Sequence, residues 1–284
     1  MARPWAWLLL ALLAVSVAAW LLPAPASGPT ARISLTAGYP ATTRARLAQL
    51  LALELRDAGI EVTEIEGENT RRELARGDAG EVDFAMVSGA FYSGAFPNVR
   101  EVAPLFPEAL HLLVKREHVA RIGANLGGLR GLRVDHGPRG SVTESLAASV
   151  LAFAGVSCVP VAVPGECTRL NLELPEIDRL AAGGERDALP DALFHLAPLP
   201  SLQVSLLVGE ADYDLVEIPF APAYRLGSVL EGFDGIQRTG EISRRFTQHM
   251  EIPPFTYRTD PAVPDSAVST IGARLLLVAN ADVD

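Results

Sequence analysis

Apolar positions along this chain recur at two alternating periods, one of two residues and one close to 3.6. Ala31–Ala37 (ARISLTA) reads as a first strand, broken by Gly38-Tyr39-Pro40-Ala41. From Thr42 or Thr43 the spacing lengthens, with Leu47, Leu50, Leu51, Leu55 and Ala58 on one helical face and Gly59 ending the run. Ile60–Ile65 (IEVTEI) alternates as a strand does. Asn69 can cap a short helix reaching Arg76, helped by the Thr70…Glu73 spacing, with Gly77 as its stop. Val82–Val87 is a near-continuous apolar strand running into Ser88-Gly89. Strand–helix–strand–helix–strand in this order predicts right-handed crossovers and a parallel sheet. Ligands on such sheets sit at the carboxyl ends of the strands. That places Gly38, Tyr39, Thr42, Thr43 and Ser88 near a common mouth.

A second run of the same kind starts at Leu113. Its first unit is Gly131–Gly155 (GLRVDHGPRGSVTESLAASVLAFAG). Leu132-Arg133-Val134 is strand-like, and His136–Gly140 forces a turn. Ser141 stands three residues before Glu144, the spacing of a capping box. Val142, Leu146, Ala147, Val150, Leu151 and Ala154 then recur at helical spacing, and Gly155 suits a left-handed end. A helix start presents unpaired N–H groups and partial positive charge, so Gly140, Ser141 and Thr143 form a candidate seat for a carboxylate. An ordinary βα turn is the competing reading. Val159–Val163 is the next expected strand, and Leu170–Ala182 is helical in its second half because Pro175 cannot sit deep in a helix. Asp191–Leu196 and Tyr213–Ile218 read as strands, and Pro219 can open a helix carrying Ala223 and Leu226.

Composition narrows the partners. The 284 residues are 49% hydrophobic and 20% charged, enough for one large domain or two lobes. A net charge of −10 argues against nucleic acid, which prefers a basic face. Residues 1–26 stand apart from the fold: Arg3 is their one positive charge, and Trp5–Leu22 carries none. Pro23-Ala24-Pro25-Ala26 offers a small-residue cleavage site, so the segment is a secretory signal or, given its length, an uncleaved membrane anchor. Either places the body outside the cytoplasm. There a disulfide between Cys158 and Cys167, the two cysteines of the chain, persists. Two separate buried thiols or a metal site are the alternatives, the last without partners at ligand spacing.

Catalytic signatures do not appear. The histidines at 111, 118, 136, 195 and 249 lack metal-ligand spacing, and no GxSxG, Walker A or HExxH occurs. His111 and His195 lie in apolar strands and read as hydrogen-bonded core residues. His136 ends a strand at the mouth and is a candidate ligand contact. Arg44 and Arg139 lie beside turns where an anion would sit, although solvated arginines are common there.

Several motifs in series resemble one family. RGLRVDHGPRGSVTESLAASVLAFAGV is similar to "GxRVxxGPxGSGT…LL…AGV" of the TAXI-type solute receptors of TRAP transporters, with Val142 in place of a glycine. GEVDFAMVSG is similar to "GExDFAxVQ", VAPLFPEALHLLVK to "LASLYPEPVHLVVR", and VSTIGARLLLVANADV to "VxTVxxxxLLVxRADL". ISLTAGYPATTRARLAQLLALEL departs most: Pro40-Ala41-Thr42-Thr43 replaces the family's Gly-rich turn. The resemblance implies an α/β, two-lobe periplasmic-binding-protein type II clamshell, each lobe a mixed, mostly parallel sheet flanked by helices. Lobe 1 would hold residues 30–112 with 253–284, including a Thr270–Val278 strand, and lobe 2 residues 113–252. Family members continue with a helix beyond this point, so the chain looks cut short. The implied function is a non-enzymatic, monomeric extracytoplasmic receptor. It would capture a small organic anion, such as an amino acid or dicarboxylate, for TRAP transporter membrane subunits, without a cofactor. A membrane-anchored sensor signalling to a partner protein is the rival.

Overall fold

The computed structural model describes residues 31–226 and 246–283, apart from 41, 92 and 124. The 1–26 leader lies outside the described residues. Among them, no helix is long and apolar enough to cross a membrane.

β1 (Ala31–Thr36) lies between two parallel neighbours, β2 (Ile60–Ile65) and β3 (Phe84–Ser88), with Ile33 opposite Val62 and Leu35 opposite Phe84. The crossovers are α1 (Thr43–Asp57) and α2 (Thr70–Asp78). Thr42 caps α1, its Oγ1 accepting from the Ala45 amide at 3.1 Å, and Asn69 caps α2 through the Arg72 amide at 3.1 Å. Gly77 does not stop α2; the helix runs one residue further, and Gly80 turns the chain at a φ of +71°. The buried line of α1 is also rotated from the expected one. Ala48 and Ala52 meet the sheet, flanked by Leu47, Leu51 and Leu55, while Leu50 is 54% exposed. The two small alanines let the helix approach the sheet closely, which carries Leu50 out of the contact line.

β4 (Val99–Lys115) is the long strand that carries the chain onward. Val99–Ala109 pairs antiparallel with β13 (Val268–Asn280), and Glu108–Val114 pairs antiparallel with β8 (Ala192–Pro198) on the other edge. Beyond Leu112, β9 (Tyr213–Val216) takes over the edge that β13 has left. β5 (Arg133–Asp135) and β7 (Cys167–Leu170) extend this side in parallel, and β6 (Cys158–Val159) is its edge. The sheet order among the described residues is β2-β1-β3-β13-β4-β8-β5-β7-β6. β10 (Gln248–Ile252) pairs with the start of β13.

The expected strand at Val159–Val163 does not form beyond Val159. Pro160 and Pro164 remove ladder donors, Val161 is 71% exposed, and the partner of β5 is β7 instead. The sulfurs of Cys158 and Cys167 are bonded, closing a nine-residue separation across β6 and β7.

Helices cover both faces on this side. α4 (Val142–Phe153) packs Leu146, Ala147 and Val150 against Leu110, Leu112, Val134 and Phe194. α5 (Leu174–Ala182) and α6 (Leu202–Glu210) cover the opposite face, where Leu113 and Leu193 meet Ile177, Leu180, Val204 and Leu207. The alternation of Leu112 and Leu113 between two cores is the two-residue period of a strand buried on both faces. A four-residue helix, α3 (Arg116–Val119), α7 (Ala221–Leu226) and a small antiparallel pair, β11 (Arg258–Thr259) with β12 (Ala262–Val263), are the remaining α-helices and strands described.

Candidate functional site

A cavity of about 290 Å³ lies where the two groups of strands face each other. Tyr39, Pro40, Thr42, Thr43 and Arg44 line it from the β1–α1 turn, and Glu68, Asn69 and Thr70 from the start of α2. From the other side come Ser141–Thr143 at the start of α4, Leu174, Pro175 and Asp178 on α5, and His195–Pro198, Ser201 and Gln203. The volume suits a small organic molecule. One contact crosses the mouth directly: the Leu202 amide donates to Thr43 Oγ1 at 3.2 Å. Burial and the nearby Glu173 charge together raise the Tyr39 pKa.

Hydroxyl groups dominate the polar lining. Thr43 Oγ1 accepts from Leu202, Thr70 Oγ1 from the Ser88 amide at 3.2 Å, and Ser141 Oγ from the Glu144 amide at 3.1 Å. Thr143 Oγ1 accepts from the Leu196 amide and Ser201 Oγ from the Val204 amide, both at 3.4 Å. Each oxygen is thus held by a backbone N–H, while its own proton has no acceptor among the described residues. A hydroxyl carries one donor. Five such protons around one cavity make a donor set suited to an acceptor-rich guest. Thr42 differs, because its hydroxyl already donates to Tyr39 O at 2.8 Å while capping α1.

The helix start at Ser141 is partly filled by the chain itself. Glu144 Oε2 accepts from the Gly140 amide at 2.7 Å, and Oε1 accepts from Asn171 Nδ2 at 3.0 Å. The carboxylate at the third helical position therefore reaches past its own cap to the residue before it. Ser141 N donates to Pro138 O at 3.1 Å. The amides of Val142 and Thr143, in the first turn, precede the intrahelical ladder. Gly137, at a φ of +86°, brings its backbone so close that a Cβ there would stand 2.9 Å from Thr143 Cγ2. Glycine at this position lets the turn pack beneath Thr143.

Arg44 is the cation of the lining, and its charge is held from behind. Arg44 Nη2 bonds Glu108 Oε1 at 2.5 Å, and the Glu108 side chain is fully buried. Asp178 Oδ1 accepts from Gln203 Nε2 at 3.0 Å, and Glu68 pairs with Arg72 at 3.3 Å. His195 faces the cavity as a neutral ring: burial, His111 and Arg44 lower its pKa to about 3. His111, behind it, is fully buried and held at about 4 by burial. Its Nδ1 donates to the His195 carbonyl at 3.0 Å, so Nε2 accepts from the Tyr257 hydroxyl.

Of the residues named from sequence, the structure gathers Tyr39, Thr42, Thr43, Ser141 and Thr143 around the cavity, and Arg44 with them. Gly38, Ser88, His136, Arg139 and Gly140 do not line it. Gly38 lies under Arg44 and the Glu68 carbonyl at a φ of +77°. Ser88 is buried behind Thr70, and Arg139 and Gly140 are exposed. His136 points inward, edge-on to Phe194, and neither ring nitrogen has a partner among the described residues. Burial and the charge of Arg169 lower its pKa to about 4. The sequence reading missed Thr70, Asp178, Ser201 and Gln203 as lining residues. Thr70 was visible only as part of a helix start, and a cap signal was available at Ser201. Nothing local marks Asp178 or Gln203, which reach the cavity through the packing of α5 on α6.

Among the described residues, no cluster of histidine, cysteine or carboxylate groups could hold a metal ion. No family model matches the sequence, and no curated protein matches it. A solved structure from Bordetella bronchiseptica is similar at a TM-score of 0.50 and 12% identity, over 89% of this chain and 65% of that one. A Xanthomonas citri protein bound to ATP has a TM-score of 0.47 at 12% identity, over 89% and 78% of the two chains. An amino acid ABC transporter substrate-binding protein from Streptococcus pneumoniae, bound to L-arginine, has 0.44 at 17% identity, over 65% and 74%. At these identities the likeness is one of fold. The fold is α/β, a mixed sheet flanked by helices.

Proposed function

We propose that this protein is an extracytoplasmic solute-binding receptor that captures a small organic anion between two lobes and delivers it to a TRAP-type transporter. The observation that carries the reading is the set of five hydroxyls, Thr43, Thr70, Ser141, Thr143 and Ser201, whose protons have no acceptor among the described residues around one cavity. They come from both sides of the cleft, so a carboxylate bound there bridges the halves and favours the closed state. The lobes are residues 30–112 with 253–284, and residues 113–252. The chain passes between them near Leu113 and Pro253, the first just beyond Glu108 and Ala109, where β4 pairs with β13 on one edge and β8 on the other. The protein acts as a monomer without catalysis, its body outside the cytoplasm, and its membrane partner is the TAXI-type permease that the sequence motifs imply.

Native mass spectrometry of protein purified without refolding tests this first, with a co-purifying small carboxylate as the expected result. Calorimetric titration with that acid then compares wild type with Thr143→Val. Loss of one donor to a charged acceptor costs about 1.5–3 kcal/mol, or roughly 10- to 150-fold in affinity. Unchanged affinity, or a co-purifying species without an acceptor group, overturns the reading.

A further inference from the structure

We infer that the ligand is a monocarboxylate with an apolar body, and that Glu108 sets this preference by holding the charge of Arg44. The inference rests on the receptor reading above and names the ligand class of the same cavity. Arg44 is the one arginine or lysine of the lining, and Glu108 Oε1 bonds it at 2.5 Å from a fully buried position. Glu108 Oε2 has no partner among the described residues, so no other donor shares its charge and Arg44 carries the whole compensation. The pair is locally neutral. One ligand carboxylate can still be satisfied by the hydroxyl protons and by the Arg44 N–H groups that Glu108 and Thr70 leave over. A second would find no uncompensated cation in the lining.

Instead it would meet acid or hydrocarbon. Asp178 lines the cavity with the side-chain amide of Gln203 beside it, and the Glu173 charge acts on Tyr39 at the mouth. Between them Val142, Leu174, Pro175, Leu196 and Ala197 form an apolar wall. Burying a charge against such a wall without a partner is strongly unfavourable, whereas burying an alkyl body is favourable.

Two matched pairs of acids test this by calorimetry at pH 7 and fixed ionic strength: 4-methylpentanoate against glutarate, and hexanoate against adipate. Wild type should bind each monocarboxylate at least ten times more tightly than its partner. Glu108→Gln releases the charge of Arg44 and should shrink that ratio tenfold or more, a change that a purely structural role for Glu108 would not produce. If Glu108→Gln does not fold, Asp178→Asn replaces it and should also shrink the ratio. Equal or tighter binding of the dicarboxylates by wild type overturns the inference and leaves the receptor reading standing. An unchanged ratio in the variants overturns the assignment to the acidic residues. If none of the four acids binds, the inference fails; the receptor reading fails with it only if no small molecule co-purifies either.

Discussion

The amide of Leu202 donates to Thr43 Oγ1 at 3.2 Å, joining the first turn of α6 to the first turn of α1 across 159 residues of chain. It ties the two sides of the cavity mouth together by a protein contact. A neutral hydrogen bond contributes about 1 kcal/mol, or roughly a fivefold change in an equilibrium. Thr43→Val, which keeps shape and removes the acceptor, should shift the free protein toward an open form. Small-angle scattering without ligand should show a larger radius of gyration than wild type, and Thr43→Ser should restore the wild-type value. Identical scattering from all three would show that this bond does not hold the cleft.

Gly137→Ala should damage the site from below. The residue sits at a φ of +86°, and the new Cβ would stand 2.9 Å from Thr143 Cγ2. Left-handed backbone for a non-glycine residue costs about 1 kcal/mol or more, and Thr143 must move as well. Denaturant unfolding should show a loss of about 1–3 kcal/mol, and ligand affinity should fall with it. A variant as stable as wild type would mean that the turn has room the structure does not show.

Reduction should weaken the edge of the second strand group. The Cys158–Cys167 bond closes a short loop at β6 and β7, worth roughly 2–3 kcal/mol in the chain-entropy account. Exported protein should contain no free thiol on titration under denaturing conditions, and a reductant should lower its melting temperature. Two reactive thiols in untreated protein would reject the bridge.

Acid should destabilise the fold well before the carboxylates as a class are protonated. Burial is the first cause of the lowered pKa at His111 and His136, both near 4, and at His195, near 3. The unfolded chain takes up these protons near pH 6.5, so stability is present above that pH and is lost as pH falls toward 4. Asp135 opposes the trend: burial lifts it to about 7, against the amides of Leu172 and Gly137 that donate to it. Its contribution favours the fold at low pH and is lost as pH rises from about 4 to 7. Three histidines outweigh one aspartate, giving a net slope of about 2–3 kcal/mol per pH unit at its steepest. Melting temperatures recorded from pH 7 to 4 should fall steeply; a flat profile would refute the neutral histidines.

Much of this protein is determined by the sequence alone. Its helix starts announce themselves because a side-chain oxygen must satisfy the first amides locally: Thr42, Asn69 and Ser141 each cap the helix expected of them. The parallel order of the first three strands follows from strand–helix alternation, and the apolar run through Leu110–Val114 is long enough to mark a strand buried on both faces. Tertiary structure decided the rest. Prolines at 160 and 164 broke an apolar run that period alone read as a strand, and the partner of β5 became Cys167–Leu170. Small residues at Ala48 and Ala52 rotated α1 away from the line its leucines suggested. At the site, sequence located turns at strand ends but not which side chains face one another across the cleft. Asp178 and Gln203 reach the cavity only because α5 packs on α6. Arg44 meets Glu108 where β4 runs between β13 and β8, and such a pairing across 64 positions has no local signal in the chain.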